Sequence, residues 1–390
     1  MRTPSSTQPR NSGLDGIRAI AAGSVFVFHA WLYTRTPGTK PHWWDYTAIQ
    51  FRTGLICFFV LSGYLLYRSF ARAARAQAGP VSVGSYSARR VVRIIPAYYV
   101  AMLGALRLLG GAGDTPGVRL PPAEQWWLFP LFGQNFRGDT IMKLNPVTWT
   151  LCLEAMFYVL LPFLGIFAYR IAKGRWQPQV ALMAGFVALG AIWNALVFDH
   201  GWGQVASKSL MAYMPYFAVG MLVAIWLVER EARGRTGPLS PRTTLWLALA
   251  GAALVVASGY WHATSGGPSI DKTIAMVNDL PAATGFALLV AGAAAGSGRS
   301  LSWLSWKPLD MFGVASYGFY LWHVPILLFL KSQDVLGDSF LVAFAIGFPL
   351  ATLAGFLSWN LIERPLLDGT NRRIKARRAA RAARGAQVPV

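Results

Sequence analysis

The sequence predicts an all-α polytopic membrane protein with about ten transmembrane helices and both termini in the cytoplasm. Three observations support this prediction. Of the 390 residues, 54% are hydrophobic and only 13% are charged, which is too apolar for a water-soluble chain of this length. Apolar runs of about 20 residues recur along the chain, and each is long enough to cross a bilayer. Basic residues lie mostly in alternate connections between these runs.

Each predicted span is an apolar run between polar segments. In chain order the spans cover residues 14–33, 49–67, 91–110, 147–169, 179–198, 209–228, 243–262, 280–297, 312–330 and 340–362. They define a transmembrane domain at 14–366, between a cytoplasmic N-terminal segment at 1–13 and a basic cytoplasmic tail at 367–390.

The basic residues cluster in the connections after the even-numbered spans and in the tail. The clusters are Arg68, Arg72, Arg75, Arg89, Arg90 and Arg93; Arg170, Lys173 and Arg175; Arg230, Arg233, Arg235 and Arg242; Arg299 and Lys307; and Arg372, Arg373, Lys375, Arg377, Arg378, Arg381 and Arg384. Lys and Arg are retained on the cytoplasmic side of a membrane. This pattern explains the net charge of +20 by topology and the lipid bilayer, with no nucleic-acid partner.

The first span carries Arg18 near its start and His29 near its end. Eleven residues separate them, so both lie on one helix face, about 16 Å apart. An arginine at the centre of a span costs about 3 kcal/mol, and a chain keeps it when something faces it. The alternative is that Arg18 extends to the membrane surface and His29 makes a polar contact in the core.

Glu154 lies about two turns inside the fourth span, at a predicted depth similar to that of His29. A carboxylate that orients a histidine is a common general-base arrangement. We therefore predict that Glu154 and His29 form an acid–base pair, the alternative being a structural buried pair. Trp149 and Tyr158 in the same span are candidate substrate contacts.

Three arginines, Arg89, Arg90 and Arg93, stand at the start of the third span. The guanidinium fork suits phosphate groups, which predicts a phosphate-bearing cytoplasmic donor. The alternative is that these residues only obey the topology rule. Ser62 precedes a glycine in the second span and either permits close helix packing or lines a cavity. Ser62 and Tyr98 complete the predicted donor-binding set.

Tyr320 and His323 share a face of the ninth span and are candidate substrate contacts. Pro325 is expected to loosen that helix just beyond them. In the last span, Pro365 is expected to stop the helix, and Glu363 is expected to pair with a basic neighbour.

Two classes of protein fit these polar groups. One is a membrane enzyme that takes a phosphate-bearing donor from the cytoplasm, and the other is a transporter. Transporters usually contain internal repeats or paired broken helices. The sequence shows neither, which favours the enzyme.

The chain resembles the acyltransferase-3 family of bacterial integral-membrane O-acyltransferases, in its form without a soluble hydrolase domain. The matching residues occur in the family's order between about 14 and 366. They are Arg18 and His29; Phe58-Phe59-Val60-Leu61-Ser62-Gly63-Tyr64; Arg89, Arg90, Arg93 and Pro96; Trp149-Thr150-Leu151, Glu154 and Tyr158; Ser316-Tyr317, Tyr320, Leu321 and His323; and Glu363 with Pro365.

The resemblance implies an inner (plasma) membrane enzyme that moves an acyl group from acyl-CoA, with acetyl-CoA expected, to a saccharide hydroxyl. The acceptor would be a surface glycan or a glycosylated natural product such as a macrolide sugar. His29 would act as general base or acyl acceptor, Glu154 would orient it, and Arg18 would steady the thioester or oxyanion. No metal is expected. The alternative is a transmembrane acyl carrier that feeds a separate transferase.

Overall fold

The computed structural model describes residues 11–35, 42–77, 79, 81–265, 272–296 and 300–386. Secondary structure within these ranges is helical, apart from one isolated bridge between Leu239 and Gly296. Ten of the helical stretches are long and apolar enough to span a membrane. The predicted helical class and the count of ten spans are thereby confirmed, while the cytoplasmic position of the termini stays a prediction. Arg299, residues 387–390 and most of the predicted 1–13 segment lie outside the described residues.

The spanning helices keep the predicted order, with edges that differ by several residues. They are α1 (Ser12–Thr34), α2 (Gly54–Ala76), α3 (Val83–Leu109), α4 (Trp149–Ala172), α5 (Gln177–Asp199), α6 (Leu210–Ala232), α7 (Pro241–Ser265), α8 (Leu280–Ala295), α9 (Lys307–Ser332) and α10 (Phe348–Ser358), which continues into α11 (Arg364–Ala386). Helix α10 and the first part of α11 belong to one continuous helical stretch, Phe340–Arg377, which is the tenth span. We call the end of the bundle that holds the α2–α3, α4–α5 and α6–α7 connections the arginine end.

Helices α2 and α6 pack so closely that their backbones nearly touch. A Cβ atom added at Gly63 would collide with the carbonyl of Phe217, and one added at Gly220 would collide with the carbonyl of Val60. Small residues permit this approach inside a membrane, where packing drives helix association. The contact confirms the packing interpretation of the Ser-Gly pair and fixes the rotation of α2, which carries Ser62.

The last span does not stop at Pro365, so that prediction is wrong. The chain passes through a π-helical turn at Trp359–Glu363 and continues as α11. A proline removes an intrahelical hydrogen bond and crowds the preceding turn. The wider π turn directly before Pro365 accommodates both effects. Glu363 is buried and accepts a 3.1 Å hydrogen bond from Ser358. It forms no salt bridge among the described residues, and its basic neighbour is Arg93, whose charge acts on it.

The connection between α3 and α4 folds into the bundle. Gln134, Thr140 and Asn145 are fully buried, and the Asn145 side-chain amide donates a 2.8 Å hydrogen bond to the carbonyl oxygen of Leu321 in α9. That carbonyl is free because Pro325, four residues later, has no N–H to donate to it. Helix α4 therefore begins beside the middle of α9, well below the end of the bundle.

The outer part of the same connection is a short 3-10 helix, Ala123–Leu128. Trp127 is exposed, whereas Leu128 is buried. Hydrogen bonds from Arg137 and Gln125 lower the pKa of Asp139 to about 2, so this carboxylate stays charged at neutral pH.

Candidate active site

A partly enclosed cavity of about 90 Å³ lies among α1, α2, α3, α4 and α9. Seven residues that the sequence predicts as functional line it: Arg18, Ser62, Arg90, Arg93, Glu154, Tyr158 and Tyr320. They come from positions as far apart as the first and ninth spans. The structure therefore brings most of the predicted set to one place.

Glu154 is held inside this cavity by two hydroxyl groups. Ser62 donates a 3.1 Å hydrogen bond to Oε1, and Tyr158, one helical turn further along α4, donates a 2.7 Å hydrogen bond to Oε2. Each oxygen thus has a donor and the carboxylate is fixed in orientation. Ser62 lines the cavity, whereas the glycine after it, Gly63, packs against the backbone of α6.

Two guanidinium groups in the cavity form no salt bridge with any described residue, although Glu154 lines the same cavity. Within the described residues, neither Arg90 nor Arg93 forms a salt bridge or a side-chain hydrogen bond, and the buried Arg90 Nε has no acceptor. Arg18 differs, since it pairs with Asp15 one turn earlier in α1. A buried charge without a partner is costly. The arrangement is suited to an anionic ligand.

A second, open cavity of about 510 Å³ reaches the arginine end. It shares Arg18, Leu65 and Arg93 with the first cavity, and its far wall includes Asn11 and Arg68. The two cavities therefore adjoin each other, and Arg18, Leu65 and Arg93 lie between the open cavity and the one that holds Glu154.

Two histidines lie next to the first cavity, behind Tyr320. Tyr320 lines the first cavity, and its ring centroid is 5.5 Å from that of His323. His323 is fully buried, and its Nε2 lies 3.1 Å from Nδ1 of His29. His29 is half-buried and also places Nδ1 2.9 Å from the carbonyl oxygen of Val25. One tyrosine thus separates the cavity from the histidine pair.

The predicted contact between Glu154 and His29 is wrong. His29 pairs with His323, while Glu154 lies in the cavity with Arg18. The reason is depth: α4 begins beside the middle of α9, so Glu154 lies closer to the arginine end than its spacing from the start of the apolar run indicates. His29 remains about three helical turns from Arg18 along α1.

Three other predicted residues lie outside the cavity lining. Tyr98 is fully buried and donates to the carbonyl oxygen of Phe129, so it anchors the α3–α4 connection and does not line the cavity. Trp149 packs edge-to-face on Tyr213. Arg89 precedes the two lining arginines on α3 but does not reach the cavity.

Several polar contacts were missed from the sequence. Thr150 lies 2.8 Å from the hydroxyl of Tyr320 and helps to fix that ring, and the i,i+3 spacing of Asp15 and Arg18 could have revealed their pair. A separate buried cluster joins three residues at the end opposite the arginine end. In that cluster Asp279 accepts two hydrogen bonds from Arg52 and lies 3.3 Å from Nε2 of His262.

Cys57 and Cys152 are buried and are both free thiols. Among the described residues, no group of three or more His, Cys, Asp or Glu side chains is arranged to hold a metal ion.

Ten apolar helices, five of which line an internal cavity that holds three arginines and Glu154, define a multi-pass membrane protein. The chain belongs to the acyltransferase domain family, whose model matches residues 11–360. This match confirms the resemblance that the motifs carry, and with it the acyltransferase class.

Curated relatives match over 91% of the chain. The putative peptidoglycan O-acetyltransferase YrhL of Bacillus subtilis is 24% identical over 54% of its own length. Nodulation protein 10 of Rhizobium leguminosarum bv. viciae is 26% identical over 93% of its length. O-acetyltransferase OatA of Staphylococcus aureus is 23% identical over 57% of its length. The chain thus spans just over half of the two O-acetyltransferases. No solved structure matches it significantly.

Proposed function

We propose that this protein transfers an acyl group, with acetyl as the first choice, from acyl-CoA to a hydroxyl group of a saccharide. One observation carries the proposal. Arg90 and Arg93 form no salt bridge among the described residues, and both line the inner cavity; Arg93 also lines the open cavity at the arginine end. Tyr320 lines the inner cavity as well and packs against His323, the partner of His29.

The donor's phosphates would bind at the arginines. Arg90 and Arg93 offer free donors for phosphate oxygens, and Arg89, next to them on α3, adds positive charge at the entrance. The thin pantetheine arm would then pass Glu154, whose carboxylate can accept hydrogen bonds from the amide N–H groups of that arm. Arg18 lies in the cavity about three turns from His29, so we assign it to the donor and not to the oxyanion.

His29 would carry the chemistry. Its imidazole takes the proton of the acceptor hydroxyl while the hydroxyl oxygen forms a bond to the thioester carbonyl carbon. The carbon–sulfur bond then breaks, and the proton moves from His29 to the departing thiolate, which yields the ester and free CoA. Alternatively His29 accepts the acyl group before the saccharide does. General-base catalysis of this kind contributes about 10²–10⁴-fold.

We propose that the transmembrane acyltransferase domain at 14–366 lies in the inner (plasma) membrane, with the segment 1–13 and the tail 367–390 on its cytoplasmic side. The basic clusters of the even-numbered connections support this orientation. The tail at 367–390 would rest on anionic lipid.

The names of two relatives, both O-acetyltransferases and one of them a putative peptidoglycan enzyme, favour acetyl-CoA and a saccharide acceptor. We propose a surface glycan or the sugar of a glycosylated natural product, such as a macrolide sugar, as the acceptor class.

The test uses the full chain in lipid nanodiscs with acetyl-CoA and a panel of saccharides. Free thiol and acetylated product are measured together, and CoA binding is measured separately. We expect Arg90→Gln and Arg93→Gln each to weaken CoA binding about 10- to 100-fold, since a hydrogen bond to a charged group contributes about 1.5–3 kcal/mol. Arg107→Gln is the matched control, because it lies on the same helix outside both cavities.

Three results would contradict the proposal. Unchanged CoA binding in both arginine variants would remove the donor site. Transport of an intact solute without thiol release would favour the transporter. Thiol release that yields an acylated product only after a second protein is added would favour the acyl carrier.

A further inference from the structure

His29 and His323 each place Nδ1 against a backbone carbonyl oxygen. Nδ1 of His29 lies 2.9 Å from the carbonyl oxygen of Val25, and Nδ1 of His323 lies 2.8 Å from that of Tyr320. A carbonyl oxygen can only accept a hydrogen bond. Each Nδ1 must therefore carry the proton, which assigns the tautomer of both neutral rings.

The two tautomers are complementary at the contact between the rings. With its proton on Nδ1, neutral His323 has a lone pair on Nε2, and this atom lies 3.1 Å from the protonated Nδ1 of His29. His29 thus donates to His323 and shares the same proton with the carbonyl of Val25. Nε2 of His29 is left with a lone pair and has no hydrogen-bond partner among the described residues.

The surroundings of His323 favour a neutral ring that accepts the hydrogen bond from His29. Its ring is stacked on Phe319 at 5.8 Å with an interplanar angle of 4°, and it also borders Phe26. The side chain is fully buried. An ionised carboxylate would be costly in this apolar setting, whereas a neutral imidazole can accept a hydrogen bond there without adding a charge.

We propose that His323 is the positioning residue of the transfer reaction: it fixes His29 in the tautomer whose Nε2 is free to act on the acceptor. His323 thereby takes the orienting role that we predicted for Glu154. This inference deepens the proposed function and rests on it.

The proton balance follows from the geometry. Nε2 of His29 takes the acceptor's proton, and the ring becomes an imidazolium with protons on both nitrogens. Its Nδ1–H then donates more strongly to His323, which stays neutral. When Nε2 returns its proton to the departing thiolate, both rings regain their first tautomers. If His29 instead accepts the acyl group, the same free Nε2 is the attacking atom.

The first measurement is nitrogen NMR of the full chain labelled only at histidine, of which the sequence has five. His29→Gln and His323→Gln assign the signals. We expect Nδ1 protonated and Nε2 unprotonated in both rings at neutral pH, with a scalar coupling across the hydrogen bond that joins them. His200 is an internal reference, because it makes the same 2.9 Å contact with the carbonyl four residues earlier but has no histidine partner.

The second measurement is acetyl transfer by His323→Phe and His323→Gln. Phenylalanine keeps the stacked ring but has no lone pair, and we expect kcat to fall about 10²-fold or more while KM for acetyl-CoA changes less than about twofold. Glutamine can present its Oε1 near the position of the lost nitrogen, so we expect it to restore at least about a tenth of the wild-type kcat. His200→Gln is the control.

The outcomes separate this inference from the proposed function. An active wild type in which His29 carries its proton on Nε2, or in which His323→Phe keeps full kcat, overturns the inference and leaves the function in place. A wild type that folds but transfers no acetyl group overturns the function, while the NMR signals still decide the tautomers. If His323→Phe does not fold, the glutamine variant and the NMR result decide.

Discussion

The side-chain amide of Asn145 donates to the carbonyl oxygen of Leu321, and this one hydrogen bond sets the depth of the candidate active site. It exists because Pro325 leaves that carbonyl without its intrahelical donor. The contact holds the start of α4 beside the middle of α9. Glu154 consequently lines the cavity together with Arg18, and His29 contacts His323 on α9.

Asn145→Ala should destabilise the fold and weaken the site. The substitution leaves a buried carbonyl unsatisfied, which costs about 1–3 kcal/mol. We expect a lower unfolding temperature in detergent and a reduced affinity for CoA. Asn360→Ala is the control, because Asn360 is exposed and bonds only within its own helix. Equal unfolding temperatures for the two variants would contradict this explanation.

Gly63→Ala should push α2 away from α6. The new methyl group meets the backbone carbonyl of Phe217, which cannot rotate away, and overpacking of this kind costs about 1–3 kcal/mol. Since Ser62 precedes this glycine, donor binding should weaken as well. Gly185→Ala, where the added carbon meets nothing within 4 Å, should leave both properties unchanged.

Glu154 and His29 should act independently in CoA binding. They make no contact, and separated sites are usually additive. We expect Glu154→Gln to change the CoA dissociation constant by the same factor in wild type and in His29→Ala, as measured by titration calorimetry. A factor that depends on the residue at position 29 would restore the predicted acid–base pair.

The effects of substitutions at His29 and His323 on kcat should not be additive. Residues that act as a unit show strongly non-additive effects. Adding His323→Phe to His29→Ala should therefore cost little further activity, as judged by residual thiol release. A full second loss of about 10²-fold would show that His323 acts elsewhere.

Asp279→Asn should cost about 3 kcal/mol, because it leaves Arg52 beside a neutral group in a buried setting. Thermal unfolding in detergent measures the effect. Asp368→Asn removes one member of an exposed pair at 3.9 Å and should change stability by less than about 0.5 kcal/mol. Similar losses for both variants would mean that burial does not strengthen the Arg52–Asp279 pair.

Chelation should leave acetyl transfer unchanged. In the proposed reaction His29 moves the proton and the arginines balance the donor's charge, so no step calls for a metal ion. The assay compares thiol release before and after dialysis against a chelator, followed by addition of zinc or magnesium. Loss of activity that either metal restores would require a different mechanism.

The sequence by itself determined the number and order of the spans and the family. Apolar runs of membrane length are a local property, and each of the ten predicted runs overlaps one of the helical stretches that are long enough to span. The family motifs are also local, so Arg18, His29, Glu154 and His323 could be selected without a structure.

Only the tertiary structure decided which of these residues meet. Spacing gives the depth of a side chain only when its helix starts at the membrane surface, and α4 does not, because the segment before it folds inward to Leu321. The rotation of each helix depends on close contacts such as that between Gly63 and Phe217, which join positions far apart in the chain. Because of these non-local contacts, Glu154 lines the cavity, Tyr98 lies outside it and His29 contacts His323.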